Sequence, residues 1–250
     1  MMNLKLAVCL AFGLACFQDP PKTPDLALHL KFEGGKADDA SGNGNAGKAV
    51  GKVEWAEGKK GGALKLDGAG GHLEVPSSAS LDKVQVESYS VAAWFKPETV
   101  PPGTESDNKA RYGIVVKAGW HCGLSYNNEK QFIMEHWLGP AAGGTEPVWA
   151  GAGTWEDSCD AGAWYHLVGV VDRKAGATKL YLNGELKNSA EWEANKATRD
   201  YAKEPWRVGI ASPGAEKWSW PAKGLISDVR IYTKVLSDAE ISALYKDGVK

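Results

Sequence analysis

The sequence predicts an all-β protein: two antiparallel sheets packed as a sandwich, with one short C-terminal helix. Three observations carry this. Short segments with period-two apolar alternation recur along the chain, from "LALHLKFE" near residue 26 to "KGLISDVRIYT" near residue 223. Glycine- and asparagine-rich punctuation separates them, and 30 of the 250 residues are glycine, as expected of a chain that turns often. One segment, "LSDAEISALYKDG", has helical periodicity with its own start and stop signals.

The chain opens with "MMNLK", one positive charge, then "LAVCLAFGLAC", an apolar run of the length of a signal h-region. It is shorter than the ~20 residues of a membrane span. Residues 1–15 are expected to be a signal peptide, with Gly13 and Ala15 as the small residues before cleavage. Cys16 would then lead the mature chain, which adds a lipid anchor as an alternative to ordinary secretion. Gly13 departs from the aliphatic residue that a lipoprotein signal carries at that position. The expected location is secreted, periplasmic or on the cell envelope. Residues 16–25, with three prolines, form an extended linker.

One domain is expected over residues 26–250, with no internal repeat. In "LALHLKFE", Leu26, Leu28, Leu30 and Phe32 alternate with Ala27, His29, Lys31 and Glu33, predicting a strand with one buried face. Further strands are expected at "ALKLDG", "HLEV", "YSVAAWFKP", "YGIVVKAG", "CGLSYN", "KQFIMEHW", "WYHLVGVVD", "TKLYLNGE" and "WRVGI". "LNG" at Leu182–Gly184 is an Asn-Gly hairpin turn, and "GAGGH" is another turn, since no helix follows it to make a phosphate loop. In the helix, Ser237 is the N-cap and Glu240 completes a capping box. Ile241, Leu244 and Tyr245 form the apolar stripe, and Gly248 is expected to close it.

A net charge of −2 gives no basic footprint for nucleic acid. Two cysteines fall within the expected domain, and in an exported protein Cys122 and Cys159 are expected to form a disulfide, the alternative being two buried thiols. Neither belongs to a CxxC pair, so a metal or redox role is not expected.

Five segments then carry a family likeness: "FEGGKADDASGNGNAG", "GGALKLDGAGGHLEVPSSASL", "YSVAAWFKP", "WYHLVGVVDRKAGATKLYLNGE" and "KGLISDVRIYTKVLSDAEISALY". In this order they resemble the concanavalin A-like lectin/glucanase superfamily, and within it the bacterial laminin G-like jelly-roll domains. The likeness covers nearly the whole mature chain and is weakest over residues 98–160. It implies that the sandwich is a jelly roll. A fold shared by lectins, adhesion modules and hydrolases does not choose among those functions.

Asp39, Ser41, Asn43 and Asn45 place a side-chain oxygen at every second position, the donor chemistry of a hard cation such as calcium. No bidentate glutamate follows at EF-hand spacing, so one loop cannot fill the shell. Glu33 and Asp228 are the candidate second contributors. The resemblance, in which first and last strands lie together, implies a structural calcium held by those two carboxylates with the Asp39–Asn45 loop. The alternative is a Gly/Asn turn.

The resemblance also directs a search for the E-x-D-x-E strand of sandwich glucanases, whose spacing puts two carboxylates on one face. Glu105–Asp107 begins it, but Asn108, Lys109 and Ala110 do not continue it. Glu191 and Glu193 flank Trp192 outside any strand pattern. His136 beside Glu135 would face the opposite side of a strand. His72 and His166 are expected to be structural. No catalytic residue is assigned, and an enzyme is not expected.

Eleven tryptophans remain. Trp55, Trp94, Trp164 and Trp206 fall on or near strands and are expected in the core. Trp120, Trp137, Trp149 and Trp155, among His121, Asn127 and Glu135, form the candidate ligand platform. Aromatic faces stack on sugar C–H faces while polar groups bond hydroxyls. The alternative is a local core for the insertions. The leading reading is a noncatalytic exported module that binds polysaccharide or glycoconjugate. A laminin G-type module that binds an extracellular protein is the alternative, and a glycoside hydrolase is the least supported.

Overall fold

The computed structural model describes residues 24–84, 86–103, 111–117, 119, 121–140, 145–198, 200–213 and 219–249. The expected signal peptide, Cys16, most of the linker, Glu105–Asp107, Trp120 and Trp218 lie outside the described residues. In chain order the strands are β1 (Leu26–Leu30), β2 (Lys48–Val50), β3 (Glu54–Glu57), β4 (Gly62–Asp67), β5 (His72–Val75), β6 (Tyr89–Pro97), β7 (Arg111–Lys117) and β8 (Cys122–Asn127). They continue with β9 (Phe132–Pro140), β10 (Pro147–Trp149), β11 (Ala152–Gly153), β12 (Tyr165–Asp172), β13 (Ala177–Leu182), β14 (Glu185–Glu191), β15 (Trp206–Val208) and β16 (Lys223–Tyr232), and α1 (Asp238–Gly248) follows.

Two eight-stranded antiparallel sheets result, a jelly-roll sandwich. The first runs β14-β13-β12-β6-β16-β4-β3 with β1 beside β16, and the second runs β10-β9-β8-β7-β15-β5-β2 with β11 beside β9. Their inner faces meet in one core that includes Leu64, Val91 and Phe95 from the first sheet and Ile114, Leu124, Tyr126 and Phe132 from the second. Phe95 bridges the layers, with ring centroids 6.2 Å from Tyr126 and 6.3 Å from Phe132 in edge contacts. Each such buried side chain contributes about 1.5–3 kcal/mol of transfer free energy. Asn183 (φ 53°) and Gly184 (φ 84°) form the two-residue turn between β13 and β14, as their sequence predicts.

The helix is capped as its sequence predicts, with the reciprocal Ser237–Glu240 box formed. It covers the outer face of the first sheet, where Ile241 packs with Ala92, Val168, Val170 and Tyr181. Trp94 points to this side and stacks on Tyr245 at 5.8 Å. Gly248 does not close the helix; it is the last helical residue, and Val249 is the C-cap. A Cβ on Gly248 would lie 2.6 Å from the Trp94 indole, so glycine is there for close approach.

Several expectations are corrected. All five residues of β1 are buried, on both faces. Side chains of residues 41–45 cover the Leu26–Ala27 backbone, and Asp228 holds the His29 ring. "GAGGH" is not a hairpin turn but a crossing, because β4 and β5 belong to different sheets. Trp94 and Trp206 are core residues, but Trp55 is 37% exposed and Trp164 half-buried.

Cys122 and Cys159 are buried free thiols. Cys122 opens β8, while the Cys159 amide donates to the Lys130 carbonyl (2.8 Å) in the turn after that strand. The length of β8, roughly 17 Å, separates them, against the ~7 Å that a disulfide spans between Cα atoms. Burial pushes the thiols up to about 12 and about 11, which leaves them unreactive at neutral pH.

Candidate functional site

The site lies on the outer face of the second sheet. Register pairs Arg111 with Asn127, Gly113 with Ser125, and Gly123 with Glu135 across β7, β8 and β9. Opposed residues share a face, so this set points outward while Tyr112, Leu124, Tyr126, Phe132 and Met134 enter the core. Trp137 shares the face of Glu135, and Trp149 on β10 lies directly opposite Trp137.

Glu135 is the hub. It is 2% exposed and accepts from the Arg111 guanidinium, from Ser125 Oγ (2.9 Å) and from Trp149 Nε1 (2.9 Å). A buried carboxylate needs such partners, and here they fix the positions of an arginine and an indole. The Arg111 guanidinium in turn lies over the Trp220 ring at 5.2 Å. Beside it opens a cleft of about 540 Å³ lined by Asp67, Thr99, Tyr112, Arg111, Trp220 and Lys223.

Two indoles stand at the other side of Glu135. Trp149 is 42% and Trp155 41% exposed, with ring centroids 6.2 Å apart and planes 55° from each other. Each ring lies on a glycine two residues away. A Cβ on Gly151 would meet the Trp149 ring at 2.5 Å, and one on Gly153 would meet the Trp155 ring at 2.4 Å. The bed itself is held, since β11 pairs Ala152 with Met134 and Gly153 with Ile133. The Phe132 amide donates to Thr154 Oγ1 at 3.0 Å and Gln131 Nε2 to the Trp155 carbonyl at 3.3 Å. The result is an apolar, solvent-facing pair on a fixed floor with a polar margin, the combination that binds sugar rings.

The other sequence candidates go elsewhere. Asn127 builds the β8–β9 turn: Oδ1 accepts from the amides of Glu129 (3.1 Å) and Gln131 (2.9 Å), and Nδ2 donates to Gln131 Oε1 (3.0 Å). His121 and Trp137, both half-buried, join Tyr201 in a separate aromatic cluster, with centroid distances of 6.1 and 4.5 Å. His136 faces inward as alternation requires, 3.4 Å from the Tyr89 hydroxyl, and burial holds it down at about 3. His166 packs on Trp94 (5.0 Å), with burial bringing it to about 4, and buried His72 bonds the Gly70 carbonyl at 2.8 Å. Arg111 and Ser125 were not predicted. Their relation to Glu135 depends on strand register, although "WAGAGTW" does signal two indoles flanking alternate glycines.

The oxygen-rich loop faces the protein. Both Asp39 oxygens are used, Oδ1 by the His29 and Ser41 amides and Oδ2 by Ser41 Oγ and the Asn45 amide, all at 2.8–2.9 Å. Asn43 Nδ2 donates to the Leu26 carbonyl (2.8 Å), and Asn45 Nδ2 donates to the Ala27 carbonyl (2.7 Å). Asp228 sits in a bulge of β16 with φ 49°. It is bound by His29 Nε2 at 2.7 Å and by Arg230 at 3.0–3.1 Å. Burial raises its carboxyl, but these contacts outweigh that and hold it at about 2. Glu33 is exposed in a 3₁₀ turn, Glu33–Gly35. These residues do not fit one cation shell. Asp228 already has a cation in Arg230, and Asp39 serves the donors of its own loop. Among the described residues, no three His, Cys, Asp or Glu gather as metal ligands.

Fold and platform together define a jelly-roll sandwich with an aromatic patch on one open sheet. Residues 67–242 match the profile of the Laminin_G_3 family, of the concanavalin A-like lectin/glucanases superfamily, and the chain belongs to that family. It is similar to domain 4 of AbnA, a GH43 extracellular arabinanase from Geobacillus stearothermophilus, solved with arabinotriose. That likeness has 24% identity and a TM-score of 0.62, covering 88% of this chain and 98% of that one. It is similar to the binding domain of botulinum neurotoxin DC, solved with rat synaptotagmin II, at 14% identity and TM-score 0.63, covering 90% of this chain and 52% of the other. The zebrafish (Danio rerio) adhesion G-protein coupled receptor V1 is 25% identical over 196 residues, 73% of this chain and 3% of the receptor. The chain thus spans a small part of that curated relative. Among the described residues no helix is long and apolar enough to cross a membrane.

Proposed function

We propose that this chain is a noncatalytic, exported carbohydrate-binding domain whose ligand stacks on Trp149 and Trp155. The observation that carries this is the exposed indole pair, held on the Gly151–Gly153 bed and tied to Glu135. Large exposed aromatics on a rigid floor mark a binding surface, because an isolated fold gains by burying them. Arg111 supplies N–H donors at the margin, and Glu135 acts as a positioning residue beneath the indole. The arabinotriose complex of the arabinanase domain supports a glycan as the ligand class. Export rests on the apolar run before Ala15.

The test is a glycan array followed by affinity measurement on hits. Saturable binding that falls roughly 30-fold, about 2 kcal/mol, in Trp149→Ala or Trp155→Ala is expected. A protein-binding domain of laminin G type is the second reading, favoured by the synaptotagmin complex of the toxin domain. Capture of a defined extracellular protein through the same tryptophans, with a silent array, would select it.

A further inference from the structure

We infer that the platform is built for a neutral, twisted single polysaccharide chain, two consecutive sugars stacking on Trp149 and Trp155, and not for the flat face of a crystalline polysaccharide. The inference rests on the glycan reading above and narrows its ligand class.

Ring orientation is the first argument. A crystalline surface offers sugar faces in one plane, and two indoles can lie flat on it together only if they are coplanar. Here the planes are 55° apart with centroids 6.2 Å from each other. That spacing is comparable to the advance of one sugar unit along a chain. The angle suits a chain whose successive units rotate relative to each other. One indole at a time could meet a flat surface, and half of the contact would be lost.

The angle is also fixed. Turning Trp149 toward coplanarity would break its 2.9 Å bond to Glu135 Oε2 and lift the ring from Gly151. Trp155 is seated in the same way on Gly153, whose strand is paired with β9. A rigid angle costs little ordering entropy on binding a matching chain, and it cannot relax to fit a plane.

Charge is the second argument. Among the described residues, three cations around the indoles are compensated: Arg111 is paired with Glu135, Lys130 at 2.7 Å with Asp160, and Lys187 at 3.5 Å with Asp157, two residues from Trp155. Polyanion recognition relies on cations free to exchange counterions for ligand charge. This surface is suited to hydroxyls.

The experiment uses the folded chain with three sets of probes. These are soluble arabino-, xylo-, cello-, malto- and laminari-oligosaccharides of one to six units, microcrystalline cellulose and crystalline chitin, and polygalacturonate and heparin. Calorimetry is expected to find at least one soluble neutral series in which the disaccharide or longer binds at least tenfold tighter than the monosaccharide. Trp149→Ala and Trp155→Ala should each lower that affinity at least tenfold, and Gly153→Ala, which tilts one ring, at least threefold. Trp149→Phe keeps a stacking face if the alanine variant fails to fold. Its melting temperature should match wild type while its affinity falls.

Retention on crystalline cellulose or chitin without soluble-chain binding would overturn the inference while the glycan reading stands. Salt-sensitive binding of polygalacturonate or heparin in preference to neutral chains would do the same. Silence on every probe would overturn both.

Discussion

Residues 39–45 and 149–155 are each seven residues long, and each sets residues able to hold a ligand among small ones. One reads Asp-Ala-Ser-Gly-Asn-Gly-Asn and the other Trp-Ala-Gly-Ala-Gly-Thr-Trp. Their fates are opposite. In the first, every alternate side chain turns onto the protein, and the four donors on Asp39 come from β1 and from the loop itself. In the second, the alternate glycines clear a floor and the flanking indoles remain more than 40% exposed. Binding groups are available to a ligand only when the fold has not already used them, and strand pairing decides which is the case.

The sharpest way to break this contrast is Asp39→Ala. It orphans several buried donors at once and is expected to destabilise the fold by about 3 kcal/mol, read from denaturant midpoints. Affinity for a platform ligand, measured well below the melting temperature, should be unchanged. A loss of binding with stability intact would show that the loop, not the platform, holds the ligand. The converse change is the double variant Trp149→Ala/Trp155→Ala. It should abolish measurable glycan binding and alter stability by less than about 1 kcal/mol, because the rings are half in water already.

Acid should act on the interior first. His136 and His166 are held at about 3 and about 4 by burial, below the unfolded value near 6.5. The unfolded chain therefore binds more protons than the folded one in that interval. Their contribution is complete above about pH 6.5 and is lost as pH falls through about 4 and then 3. Asp228, at about 2, adds a further loss only below about pH 4. Melting temperature should therefore fall steadily between about pH 6.5 and 4, and His166→Phe should flatten part of that slope. A flat profile would show that these imidazoles are hydrated.

The smallest effect concerns calcium. Because Arg230 holds Asp228 and the loop fills Asp39, millimolar calcium is expected to leave the melting temperature unchanged after chelator treatment. A rise of several degrees would restore residues 39–45 as a metal site.

Most of this architecture was legible because burial writes alternation into the sequence. β5 and β6 lie where "HLEV" and "YSVAAWFKP" stand, and Ser237 and Glu240 mark the helix start. The strands that were not legible include the four that end the two main strand orders: β2, β3, β10 and β14. Their residues are mostly exposed, so no buried face imposes a period on them. The platform was half legible for a related reason. Trp149 and Trp155 stand out in an irregular stretch, whereas Arg111 and Ser125 join Glu135 only through cross-strand register, which local patterning does not contain. Asn127 and Asp228 show the same limit, because a side chain that binds its own turn or a neighbouring arginine has the same identity as one that binds a ligand.

The indole pair also has an optical consequence. Two identical chromophores held 6.2 Å apart at a fixed angle couple as an exciton, and the chiral arrangement should give a paired positive and negative band in the far-ultraviolet circular dichroism. Replacing either tryptophan by phenylalanine should collapse that couplet, and a sugar chain stacked across both rings should perturb it. The unlabelled protein would then report the occupancy of its own surface.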